Sequence, residues 1–586
     1  MKEKIKNKKQ DSSCLLENQN SIIKRNWLSL LVIIGVILSI YVQSVEFDLI
    51  YFDDDVILIE NKSFFTTDFS IKKAFTTDAF LTKEGYFYRP LQNLSFAVNA
   101  YFAGSINPQS FHFTNLVLFI LIGISLYFFL LKFKITSRFA FLGTIIFVVH
   151  PLNVWSVVWI PSRGDLLLTL FTLLSFICFI NFLTTNKYKD LFFTLLCFSL
   201  ALFSKETAAL IPFLFLFYWG YIVYGEAGNK VKITYKHFIL AGLMFCIGIL
   251  WLYLRYHATT YFDKMISWQD FVIHLQNIPV ALSQIVVPYE MSPFPAFSFI
   301  KIILGCLIFV ALIFILLKKT KNSRIEKLLL LSWFFLFLFP VFFIKLPNVD
   351  YLEHRYLLPQ IGIIMLIILF AQDMDFSLSK NASLKQKSLS RFIRIGLYIL
   401  IIIFCITSFV KVRTLQNQST VVKAVEKYKG LGIIPYTNRG IYYSDREKYE
   451  TAAKYYDKVL QLDPKNLVSL INLANIKAIY KDYENAIALF TTYISINNRN
   501  EGAYFNRAMA KKDLGDFEGA LLDLDSAIMI TNDNPLIYNT RGVLKMRLGF
   551  LNGALPDFDE AIKLSDSTYS DPIKNKAFVI SQLENH

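Results

Sequence analysis

Charge is scarce in this chain of 586 residues: Asp, Glu, Lys and Arg make up 18%, against 54% hydrophobic and 16% aromatic residues. Soluble domains carry roughly a quarter charged residues, so composition excludes an ordinary water-soluble enzyme. A disordered chain is excluded by its 56 phenylalanines. Cysteine is sparse as well. Of Cys14, Cys178, Cys197, Cys246, Cys306 and Cys405, five lie in apolar runs, none lies beyond residue 410, and no CxxC spacing occurs. That removes a disulfide framework and a zinc site. No small-residue cleavage site follows the first apolar run, so the run reads as an anchor and not a removed signal.

What is present is length in the apolar runs. They fall at about 27–44, 111–131, 139–157, 165–183, 189–204, 207–224, 237–256, 298–317, 328–345, 355–371 and 392–410. This predicts an all-α polytopic bundle of about eleven spans. A twelfth apolar stretch, 271–296, is broken by Pro279, Pro288, Pro293 and Pro295 and reads as interfacial or re-entrant. The net charge of +15 resolves by region: residues 411–586 hold 23 basic and 21 acidic residues, which leaves +13 in the apolar part. The basic residues cluster in residues 1–26 and at Lys132–Arg138, Lys187/Lys189, Lys230–Lys236, Lys318–Lys327 and Lys380–Arg394. With the N-terminus inside and eleven spans, every cluster is cytoplasmic, as membrane insertion favours. Nucleic-acid binding is thereby set aside. The odd count expects the C-terminal region outside.

That region repeats. Ala452, Ala486, Ala520 and Ala554 are 34 residues apart, as are Gly440, Ala474, Ala508 and Gly542, and the bulky Tyr456, Phe490, Leu524 and Phe558. Small residues let paired helices approach and large ones fill between pairs, the pattern of a tetratricopeptide (TPR) α-solenoid. About four repeats are expected over 433–570, after a linker helix at 411–432 and before a tail at 571–586. Such an array offers a concave surface for a protein partner, with a plain spacer as the alternative.

On the outer side of the predicted topology, chemistry collects. The loop 45–110 carries Asp53-Asp54-Asp55 and Tyr88-Arg89-Pro90-Leu91. Later turns carry His112, His150-Pro151, Arg163-Gly164-Asp165, Lys205-Glu206 and Glu353-His354-Arg355-Tyr356. Ionisable groups beside a membrane are costly to place, so a rim of them is a candidate site. Each has a plainer reading: solvated aspartates, helix-end ion pairs, packed histidines. The acidic triplet leaves room for a divalent metal.

An acidic pair after the first span, Tyr-Arg-Pro-Leu, His-x-x-Asn, His-Pro, Arg-x-Asp, Ser-Lys-Glu and Glu-His-Arg-Tyr occur here in order, ahead of TPR repeats. In this the chain resembles the transmembrane and TPR-repeat-containing (TMTC) O-mannosyltransferases, of the GT-C glycosyltransferases, over roughly residues 26–570. It departs from them at His150-Pro151-Leu152-Asn153, where the family has His-Pro-x-His-x-Glu-Ala.

The resemblance implies transfer of a hexose, such as mannose, from a polyprenyl-phosphate donor to a Ser/Thr hydroxyl of a protein on the non-cytoplasmic face. It places the catalytic base at Asp53 with Asp54 assisting. Arg355 then becomes the favoured partner of the donor phosphate, with Arg163, Lys205, Arg89 and His150 in reserve. Asp165, Glu206, Glu353, His354, Tyr88 and His112 are supporting residues. The protein acceptor would be recruited by the repeats, and membrane lipids are partners throughout. Rival readings are a membrane-anchored TPR scaffold for envelope assembly, a transporter, and an enzyme with a polysaccharide or lipid acceptor. The transporter lacks mid-span charge and paired broken helices. The Lys/Asn-rich N-terminus and the cysteine-free tail suggest a bacterial cytoplasmic membrane.

Overall fold

A computed structural model of the chain describes residues 26–50, 53–81, 85, 87–133, 135–224, 234–259, 271–272, 274–289, 298–318, 324–343, 353–375, 383–426, 433–565 and 570–584. The expected basic clusters at 2–25, 230–232, 319–323 and Lys380 lie outside the described residues, as do Pro293 and Pro295. Two compact units divide the chain, Met1–Lys429 and Gly430–His586.

Among the described residues of the first unit, eight helices are long and apolar enough to cross a membrane. They are Asn26–Glu46, Pro108–Lys132, Ile160–Thr185, Glu206–Val223, Tyr235–Ala258, Phe299–Leu317, Arg324–Phe342 and Gln386–Leu415. Eleven were expected; the other three apolar runs form shorter helices, each for a local reason. Pro151 interrupts the run 139–157, leaving Ser137–Val148 and Asn153–Val158 on either side of a turn at His150. The run 189–204 forms Tyr188–Ser204, 17 residues that end where the chain turns out at Lys205. The run 355–371 starts only at Pro359 and ends at Asp373 after 15 residues. These helices are shorter than the eight, though Tyr188–Ser204 runs back along Ile160–Thr185 far enough for Lys205, just past its end, to meet Asp165 near the start of that helix.

Within 271–296, the helix Asn277–Val286 has ten residues and packs tightly. A Cβ on Gly305, in the helix Phe299–Leu317, would stand 1.8 Å from the Pro279 carbonyl oxygen, so only glycine permits this approach. Between the first two long helices lies the loop that carries the acidic pair. It folds onto a core of Ile57, Leu58, Phe64, Phe65 and Phe96, joined by Phe111 of the helix Pro108–Lys132, and its helix Pro90–Ala103 begins directly after Arg89.

The second unit is four helix pairs: Ile433–Ser444 with Tyr449–Leu462, Leu467–Ile479 with Tyr483–Ile496, Glu501–Leu514 with Phe517–Ile530, and Pro535–Arg547 with Leu551–Leu564. The helix Asp571–Glu584 follows. The 34-residue markers are its core. Ala452, Ala486, Ala520 and Ala554 are all wholly buried. Gly440 faces the Tyr456 ring and Gly542 the Phe558 ring so closely that a Cβ would come within 2.3 and 2.7 Å of them.

Candidate active site

Two acids and three cations converge from four separate turns of the first unit. Tyr88 donates its backbone N–H to Glu206 Oε1 at 2.6 Å, and the adjacent Arg89 lies 3.5 Å from Glu206 Oε2. One turn away, Lys205 Nζ meets Asp165 Oδ1 at 2.6 Å, with both side chains 9% exposed. Arg355 stands within electrostatic reach of Arg89, Asp165 and Glu206. Glu206 offsets Arg89 and Asp165 offsets Lys205. Arg355 has no ion pair or hydrogen bond among the described residues, and its Nη1 is buried without a partner. Among the described residues the cluster therefore carries one uncompensated positive charge. A guanidinium in that position is suited to two oxygens of a phosphate.

His354 packs its ring 5.0 Å from that of Trp159. Burial first, and then Lys205, Arg355 and Arg89, hold its pKa well below the usual imidazole value. It is a neutral imidazole beside the cations, able to donate one N–H without adding charge. Residues 348–352, which precede this motif, lie outside the described residues.

Asp53 and Asp54 are positioned differently from one another. Asp54 is 2% exposed and accepts the Ile50 backbone N–H at 2.9 Å. Asp53 is half-buried and sits at φ 66°, in the left-handed region. That conformation costs energy for any residue with a Cβ and is concentrated at functional sites. Its carbonyl accepts the Ile57 N–H at 2.9 Å, which fixes the bend. The Asp55 side chain and Phe52 lie outside the described residues. Among the described residues, no three His, Cys, Asp or Glu side chains group as metal ligands.

Two of the phosphate candidates are committed elsewhere. Arg163 is wholly buried. Its Nε donates to Asn115 Oδ1 at 2.8 Å, Nη2 to the Phe111 carbonyl at 2.8 Å, and Nη1 to Asn99 Oδ1 at 2.6 Å and the Ser95 carbonyl at 3.2 Å. Its guanidinium lies against Phe96 and Phe111, 4.6 and 5.4 Å from their centroids. With the fork filled by protein oxygens, Arg163 staples the loop helix to the helix Pro108–Lys132, and the reserve phosphate role does not fit it. His150 is wholly buried as well. Its Nε2–H donates to the Ile285 carbonyl at 2.8 Å while Nδ1 accepts the Leu152 N–H at 3.2 Å. Both ring nitrogens are used, and the imidazole is a neutral turn cap.

The remaining supporting residues pack. Tyr88 is buried, donating its hydroxyl to the Phe75 carbonyl at 3.0 Å. His112 lies edge-on to Phe47, between the backbones of Asp48 and Val158. Glu353 is buried 2.5 Å from Lys411.

Sequence reasoning missed three residues. Asp78, wholly buried, accepts the backbone N–H of Phe80 at 2.6 Å and of Gly85 at 2.8 Å, closing the loop. Gln92, wholly buried, abuts Gly164. Lys411 was read as the start of a linker. Gln92 directly follows Tyr88-Arg89-Pro90-Leu91, a signal that could have found it, whereas Asp78 and Lys411 have no neighbouring motif.

A tetratricopeptide-repeat family model matches residues 434–466. Protein O-mannosyl-transferase TMTC4 of Mus musculus is 36% identical over 103 residues, 15% of this chain and 14% of that protein. The Homo sapiens protein of that name is 33% identical over 114 residues, 17% and 15% of the two chains. Homo sapiens TMTC3 is 25% identical over 170 residues, 28% and 18%. The matches thus span under a fifth of the relatives' own length. The solved TPR protein YrrB is 23% identical over 28% of this chain and 84% of its own, with a TM-score of 0.26. The expected bacterial cytoplasmic membrane is overturned, since these relatives are mouse and human proteins. It had rested on the make-up of an N-terminus and a tail, which carry no compartment signal of their own. The multi-pass membrane architecture stands. By these matches and its helical make-up the chain is TMTC-like, a TPR-containing membrane protein related to the TMTC proteins.

Proposed function

We propose that the chain is a GT-C-type glycosyltransferase that moves a hexose from a polyprenyl phosphate to a Ser/Thr hydroxyl of a protein. The observation that carries this reading is Arg355, a cation without a partner among the described residues, set among Arg89, Lys205 and neutral His354 at the edge of a membrane bundle. A lipid-borne phosphate needs a site of this kind, with its chain among the helices and its charge at their ends.

In the reaction, Asp53 takes the proton of the acceptor hydroxyl, and that oxygen attacks the anomeric carbon as the bond to the phosphate oxygen breaks. The polyprenyl phosphate leaves with the electron pair, its charge met by Arg355 and Lys205. One displacement inverts the anomeric centre. Asp54, anchored to the Ile50 backbone, sets the place of Asp53. Arg163 and His150 hold the loop and the turn and touch no substrate. The repeats present the acceptor protein. No metal is required by this scheme, and a chelator that stops transfer would assign one to the acidic pair.

The test is mass spectrometry of glycopeptides from cells carrying wild type or Asp53→Asn at matched protein level. Hexose modifications that vanish in the variant are expected. An unchanged set would remove Asp53 as the base for a protein acceptor and leave glycolipid or polysaccharide acceptors, or a scaffold.

A further inference from the structure

Lys411 is buried near the end of the helix Leu384–Val412, where a lysine has no lipid- or water-facing reason to be. Its Nζ donates to Glu353 Oε2 at 2.5 Å and to the Pro151 carbonyl at 3.3 Å. The same helix is docked one turn earlier, where Ser408 Oγ donates to the Val149 carbonyl at 2.6 Å, and again where Phe404 meets the His150 ring at 4.5 Å. Lys411 thus joins the last long helix, the His150–Pro151 turn, and the turn Glu353–Tyr356. Glu353 is 2% exposed. Lys301, buried on the helix Phe299–Leu317, is a second cation within its electrostatic reach.

Burying both members of an ion pair costs several kcal/mol per ion, and well-packed apolar residues would serve stability as well or better. What a buried pair does supply is a fixed geometry. Here the fixed object is a four-residue turn whose two middle residues are His354 and Arg355. The far end of the turn is held independently, by the Tyr356 hydroxyl on Asn277 Oδ1 at 3.2 Å and Trp333 Nε1 on the Leu358 carbonyl at 2.9 Å. The near end is held by Glu353, with the His354 ring against Trp159 beside it.

We propose that Lys411 is a positioning residue for donor binding: through Glu353 it holds the turn that presents Arg355 to the donor phosphate. This rests on the glycosyltransferase reading and adds to it a residue 56 positions away in sequence from the group it serves.

The experiment is a double-mutant cycle on the purified full chain in detergent, reading the Kd of polyprenyl-phosphate mannose. Arg355→Ala should weaken binding at least tenfold, and so should Lys411→Met in the wild-type background. In the Arg355→Ala background, Lys411→Met should change Kd less than twofold, because the group it positions is already gone. A residue that only supports the fold would weaken binding by the same factor in both backgrounds, and that result overturns the proposal. Should Lys411→Met fail to fold, the neutral pair Glu353→Gln/Lys411→Met removes both charges and is expected to fold with the same donor defect. Wild-type affinity in that pair also overturns the proposal. If the wild type does not bind the donor, or Arg355→Ala binds as wild type does, the phosphate assignment fails first, and Lys411 with it.

Discussion

Lys205 Nζ and Asp165 Oδ1 lie 2.6 Å apart with each side chain 9% exposed, so the pair is held away from water. Removing one member of such a pair strands the other. Asp165→Asn is expected to cost about 3–5 kcal/mol, seen as a lowered thermal midpoint in detergent. Adding Lys205→Met removes the stranded charge and should recover most of that loss, while donor binding stays impaired because Lys205 belongs to the cationic rim. An unchanged midpoint in Asp165→Asn would mean the pair is solvated in the working protein.

The same lysine sets a pH dependence. Burial is the main cause that lowers Lys205 to about 8, with Arg89 and Arg355 adding to the shift and Asp165 opposing it. Below that value the ammonium is charged and helps to hold an anionic donor. As pH rises through about 8 the charge is lost, and affinity should fall several-fold between pH 7 and 9. Lys205→Arg keeps its charge through this range, so its Kd profile should be flat there. A wild-type profile as flat as the variant's would take Lys205 out of the phosphate site.

Much of this protein is legible in its sequence, and what is hidden is hidden for physical reasons. The repeat was visible because Ala452, Ala486, Ala520 and Ala554 each fill one equivalent contact, so packing forces one residue type at one spacing. The cluster of Arg89, Lys205, Glu206, Asp165 and Arg355 could be named because charges at helix ends stand out against apolar runs. Its internal bookkeeping could not: that Arg163 spends its whole fork on Asn115, Asn99, Ser95 and Phe111 follows from how four segments meet. Hydropathy also averages across Pro151 and does not see where a helix stops, so the break between Ser137–Val148 and Asn153–Val158 was not visible in it. Lys411 looked like the first charge of a linker because burial is a tertiary fact.

Gln92 carries a different kind of prediction. It is wholly buried and neither amide atom has a hydrogen-bond partner among the described residues. A Cβ on Gly164 would stand 2.5 Å from its Oε1, which places the amide directly over the Arg163-Gly164-Asp165 turn. An unpaired buried polar group costs about 1–3 kcal/mol. Gln92→Met keeps the shape and removes both polar atoms, so the variant is expected to unfold at a higher temperature than wild type. A lower midpoint would show that the amide is satisfied in solution by a bound water or ligand.

The repeats hold the last prediction. Glu447, Lys481, Gly515 and Gly549 are 34 residues apart, and all four adopt positive φ, at 56°, 61°, 96° and 82°. Each lies in the turn between the two helices of its repeat. Glycine is at ease there, whereas a side chain meets the following carbonyl at a cost of roughly 1–2 kcal/mol. Against this stands the greater freedom that glycine loses on folding, about 0.5–1 kcal/mol. Lys481→Gly and Glu447→Gly should therefore stabilise their repeats slightly, while Gly515→Ala and Gly549→Ala should destabilise theirs. Hydrogen exchange across Tyr483–Ile496 and Phe517–Ile530 in the full chain would report the two directions side by side. Lost protection in Lys481→Gly would mean that its side chain, and not its backbone, secures that turn.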